Sequence, residues 1–123
     1  MRWQRLAVAA CLALTGEGAL AGEAAVRDAT LTPSGDGTSR IEVTVEHADA
    51  GWDHYADAWE VLAPDGTVLA TRTLLHPHET EQPFTRSLSG LAIPDDAVEV
   101  IIRAHDSVHG YGGPELTVGV PRE

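Results

Sequence analysis

The chain contains six histidines and no lysine, and the histidines fall in three clusters with acids beside them. His47, Asp49, Asp53 and His54 lie in "HADAGWDH"; His76, His78, Glu79 and Glu81 lie in "HPHETE"; His105, Asp106 and His109 lie in "HDSVH". Neutral imidazole is a good ligand for Cu(II), Zn(II) or Ni(II). Neighbouring carboxylates can complete a coordination shell or hold the imidazole N–H groups behind it. His76 and His78 stand two apart, so both rings point to one side if the strand end continues through them. Pro77 between them removes an N–H and ends a ladder, which suits a rim. His105 leaves a strongly apolar strand, and His109 follows it in a loop. These spacings make His76, His78, His105 and His109 the candidate ligands, with Asp106 and Glu79 in support, for Cu(II) or Zn(II). His47 and His54 read as generic polar loop residues. The pattern matches no named zinc signature.

Nucleophilic catalysis finds less support. The only cysteine is Cys11, and no serine stands in a nucleophile elbow. Ser107 next to His105 and Asp106 imitates triad letters by adjacency, whereas triad members meet in space. The expectation is a protein that is not an enzyme.

The elements that would position these residues are short strands. The first 21 residues are read apart from the domain. Arg2 and Arg5, an apolar run from Leu6 to Leu14 and the small-x-small Ala19-Leu20-Ala21 form a secretory signal, with a cut after Ala21 and residues 22–123 as one domain. "VAAC", ending at Cys11, loosely fits a lipoprotein signal, which gives lipid anchoring as a lesser alternative to a periplasmic or secreted protein. No membrane insertion is expected after cleavage. The formal net charge is −11, which makes nucleic acid and anionic lipid poor partners and suits cations.

Alternation with period two, punctuated by turn residues, predicts seven strands over residues 24–32, 39–47, 55–63, 68–75, 84–93, 97–105 and 115–120. In the second, Ile41, Val43 and Val45 share one phase. In the sixth, Val98, Val100, Ile102 and Ala104 do. "PDGT" at 64–67 is a tight turn. Trp59 is expected as the core tryptophan of the third strand, and Asp57 shares its inward phase, so it needs a partner such as Arg103 or a loop histidine. Seven strands without a helix predict an all-β, antiparallel immunoglobulin/fibronectin III-like sandwich. Successive connections then alternate between poles, which puts all six histidines at one pole, with the opposite pole roughly 25 Å away.

The stretches "GWDHYADAWEVLAPDGTVLATR", "HPHETEQPFTRSLSG" and "RAHDSVHGYGG" resemble a group of small exported bacterial proteins of unassigned activity with an immunoglobulin-like sandwich. The resemblance implies export and fold and carries no reaction, cofactor or site residue. Two functions are consistent with all this. One is a periplasmic metal-binding protein. The other is a recognition module whose three histidine-bearing loops bind an unidentified protein or a glycan through Trp52, Tyr55 and Tyr111.

Overall fold

The computed structural model describes residues 22–121. The expected leader, its cleavage point and Cys11 lie outside the described residues. The chain order is β1 (Ala25–Pro33), β2 (Ser39–Glu46), β3 (Ala56–Leu62), β4 (Val68–Thr73), β5 (Phe84–Leu91), β6 (Glu99–Asp106), β7 (Gly110–Tyr111) and β8 (Leu116–Gly119). All pairings between these strands are antiparallel. One sheet has the order β1-β2-β5; the other has β4-β3-β6-β7, with β8 also paired to β6. Among the described residues no helix is long and apolar enough to cross a membrane.

The expected all-β, antiparallel character holds. The strand count is eight rather than seven, because Gly110 and Tyr111 in the expected glycine-rich loop turn back and pair with Asp106 and His105.

Period-two alternation builds the core. Ile41, Val43 and Val45 of β2 and Trp59, Val61, Val100 and Ile102 of β3 and β6 are fully buried and pack in one cluster with Leu31, Phe84 and Leu91. Fully burying an aliphatic or aromatic side chain of this size contributes about 1.5–3 kcal/mol. The expected role of Trp59 as the core tryptophan is met. The β3–β4 turn is the predicted one: Gly66 has φ 92°, and the Thr67 N–H donates to Asp65 Oδ1 at 3.0 Å.

Two phase expectations need correction. Val98 is 76% exposed, because β6 starts at Glu99, two residues later than expected, and the chain before it is still leaving a turn. Asp57 is not in the core. The β3–β6 register slips between Ala56 and Ala58, so the residue between them steps out of the inward phase, and its carboxylate meets His105 on the outer face.

Candidate metal centre

The alternation of β2 and β6 does not stop at the last apolar residue. On β2, Ile41, Val43 and Val45 point inward, and His47 follows in the same phase at 1% exposure. On β6, Val100, Ile102 and Ala104 point inward and are followed by Asp106, which is fully buried. The two central strands belong to opposite sheets, so their polar ends face each other across one pole of the core.

His54 comes in from the β2–β3 connection. Its Nε2 lies 3.2 Å from His47 Nε2. His47 Nε2 is 3.5 Å from Asp106 Oδ2, and His54 Nε2 is 3.5 Å from Asp106 Oδ1. The Gly22 carbonyl oxygen lies 3.2 Å from each Nε2. One ligand atom from each of His47, His54 and Asp106 falls within 4.8 Å of the others.

A shell of buried hydrogen bonds holds these groups in place. Asp49 Oδ1 accepts the His47 Nδ1–H at 2.6 Å and the Ala56 N–H at 3.0 Å. Asp49 Oδ2 accepts the His78 N–H at 2.6 Å. Gln82 ties the same two loops together: its Oε1 accepts the His47 N–H at 3.0 Å, and its Nε2 donates to the His78 carbonyl at 2.9 Å. Asp106 Oδ1 accepts the N–H groups of Val108 at 2.8 Å and His109 at 2.6 Å. Burial alone would raise the Asp106 carboxyl, but those two N–H donors and the His109 ring outweigh it and hold the group below its usual value.

This network decides the tautomer of His47. Its Nδ1 carries a proton because it faces a carboxylate, so a neutral His47 presents a bare Nε2 lone pair to the centre. Around that point stand the His47 lone pair, the Gly22 carbonyl and the Asp106 carboxylate, while a neutral His54 with Nε2 protonated would bring a single N–H. Lone pairs outnumber protons, so the arrangement suits a cation, either an added proton or a metal ion. A carboxylate behind the imidazole is also the usual support of a metal-bound histidine.

The residues expected from sequence divide. Asp106 is in the centre. His109 touches it: its Nδ1 is 3.2 Å from Asp106 Oδ2, and its ring centroid is 4.9 Å from that of His54. His78 is adjacent and buried, stacked on Phe84 at 4.0 Å; its Nδ1 has no hydrogen-bond partner and lies 3.9 Å from Asp49 Oδ2. Burial, with repulsion from Arg86 and His76, holds the His78 imidazole below its usual pKa. His76, His105 and Glu79 are not brought into this group. His76 is exposed and bonds the Pro77 carbonyl through Nδ1. His105 is on the outer phase of β6, with Asp57 at 2.5 Å and Tyr111 edge-on. Glu79 is exposed beside Gly51. The histidines read as generic, His47 and His54, are the two that converge. All six histidines do stand in the connections and strand ends of a single pole, as the alternation of connections requires.

No family model matches the chain, and no solved structure matches it. It is similar to a protein of Halomicrobium mukohataei named "Putative lipoprotein", with 44% identity over 96 residues. The match covers 78% of this chain and 47% of that protein. The chain therefore spans about half the length of the curated relative it matches.

Proposed function

We propose that this is an exported protein that binds a first-row transition ion, Zn(II) or Cu(II), between His47, His54 and Asp106. The observation that carries the reading is the approach of two imidazole Nε2 atoms to 3.2 Å beside a buried carboxylate. Two nitrogens bound tetrahedrally to Zn(II) at about 2.0–2.1 Å lie about 3.3–3.4 Å apart. The donors therefore stand close to where coordination would put them. The strongly acidic surface favours the approach of cations. The name of the Halomicrobium relative supports export, and with it a tether through Cys11 in place of a free periplasmic or secreted form. The strand order, with three strands against five, supports the immunoglobulin/fibronectin III-like type.

Calorimetric titration of the metal-free protein with Zn(II) and Cu(II) tests the reading. Binding tighter than about 10 µM that is lost in His47→Ala and His54→Ala is expected, against the millimolar affinity of stray surface carboxylates. Binding no better than millimolar, or unchanged in both variants, refutes it. A second reading, recognition of a protein or glycan by the same loops, has one observation in its favour: Trp52 is 66% exposed beside Tyr55 at this pole. A partner retained in the presence of a chelator would favour it.

A further inference from the structure

We propose that the backbone carbonyl of Gly22 is the fourth donor, so that the segment entering β1 closes the centre into a four-donor N2O2 site. The proposal presupposes an ion between His47, His54 and Asp106. The Gly22 oxygen makes two edges of 3.2 Å with the imidazole nitrogens. The nitrogens make a third edge of 3.2 Å with each other. Asp106 stands beside this triangle with a different oxygen toward each nitrogen, Oδ2 at 3.5 Å from His47 Nε2 and Oδ1 at 3.5 Å from His54 Nε2. Donors about 2.0 Å from a tetrahedral Zn(II) lie about 3.3 Å apart; the triangle of the two nitrogens and the Gly22 oxygen matches that spacing, and one Asp106 oxygen would take the fourth corner. Carbonyl oxygen next to the bare Nε2 of His47 is otherwise a meeting of two acceptors, which a cation between them relieves.

The glycines of "HGYGGP" are what allow this segment to lie so close. A Cβ on Gly113 would fall on the Ala24 carbonyl, and one on Gly112 would meet the Glu23 carboxylate at 2.5 Å. The Val26 N–H donates to the Pro114 carbonyl at 2.9 Å, which fixes the register of the same segment against the β7–β8 connection. Neither glycine has a positive φ, so their role here is close approach and not backbone conformation. A site with four protein donors keeps no open position for a substrate, which makes it a holding or structural site and not a hydrolytic one.

Two measurements on the full chain test the proposal. The first labels glycine carbonyls with 13C and glutamate nitrogen with 15N. Among the described residues only Gly22–Glu23 then gives a carbonyl–nitrogen pair in a triple-resonance spectrum. Zn(II) is expected to shift the Gly22 carbonyl. The second compares Gly113→Ala with Gly119→Ala, whose added Cβ meets nothing within 4 Å. Gly113→Ala is expected to weaken Zn(II) binding by about tenfold or more, the size of loss that even outer-shell changes produce, and Gly119→Ala to leave it unchanged. Zn(II) binding that depends on His47 and His54 while the Gly22 carbonyl stays unmoved overturns this proposal alone. No Zn(II) binding by the unaltered chain overturns it together with the metal reading.

Discussion

Replacing Asp49 by asparagine should unlock the whole histidine pole, with or without a metal. The Asp49 side chain is completely buried, and its two oxygens accept three N–H groups, from His47 Nδ1, Ala56 and His78. A hydrogen bond to a charged acceptor is worth about 1.5–3 kcal/mol. The amide has the same shape but one acceptor oxygen. In its better orientation it keeps His47 and Ala56 as neutral bonds and turns its NH2 toward the His78 N–H. One charged bond is lost, two are weakened, and a buried donor faces a donor, at about 1–3 kcal/mol. The sum is about 3–5 kcal/mol, the usual cost of removing one member of a buried charged network. A domain of this size has about 5–15 kcal/mol in total, so Tm should fall by at least about 12 °C. Urea and thermal unfolding near neutral pH, with a chelator present, measure this without any contribution from an ion. The same substitution frees the His47 tautomer, which nitrogen-15 spectra of the imidazole report, and metal affinity should drop about 10–100-fold. A stability loss below about 1 kcal/mol with the tautomer unchanged would refute the argument that Asp49 organises the site.

His78 should make the protein acid-sensitive in a defined window. Its native pKa is below the ordinary 6.5 because of burial, so between that lowered value and 6.5 the unfolded chain binds more protons than the native one. This contribution is complete above pH 6.5 and is lost as pH falls below it. His78→Phe, which keeps an aromatic ring against Phe84, should therefore show a shallower loss of stability on acidification, and identical slopes in urea midpoints against pH would contradict it. Tyr111 is pushed up to about 12 by burial first and then by its bond to Glu60. Spectrophotometric titration of Glu60→Gln should move that phenol back toward 10, and a value still near 12 would mean that Glu60 does not carry the shift. Asp57→Ala should cost less than about 1 kcal/mol, since its pair with His105 is about a third exposed on both sides. A larger loss would mean that the bulge in β3 depends on that pair.

The alternation of β2, β3 and β6 makes most of the fold legible in the sequence, because half-buried strands repeat with period two wherever a sheet covers a core. The site is legible by the same rule, carried one step further. His47 and Asp106 continue the buried phases 41-43-45 and 100-102-104, so their inward direction follows from the alternation itself. Histidine density points instead to "HPH" and His105. His105 shares its phase with Arg103, and both lie on the outer face, paired to carboxylates there. The contributions of Gln82, Gly22 and the 112–113 glycines have no local pattern. They depend on loops meeting across the pole, and loop geometry has no sequence period. The bulge at Asp57 is hidden for the same reason: a single extra residue in one strand reverses every phase beyond it.

The position of the centre has a mechanical meaning. His47 follows β2 and Asp106 ends β6, on opposite sheets. An ion shared by the two would act as a staple across the sandwich, closing a loop of about 60 residues. In the chain-entropy view such a link restricts the unfolded chain by about 4 kcal/mol. Exported domains commonly gain that restraint from a disulfide. The lone cysteine of this chain is Cys11, and residues 22–121 contain none, so a histidine–carboxylate clasp at the pole would take over that restraint, and chelation would release it as reduction releases a disulfide.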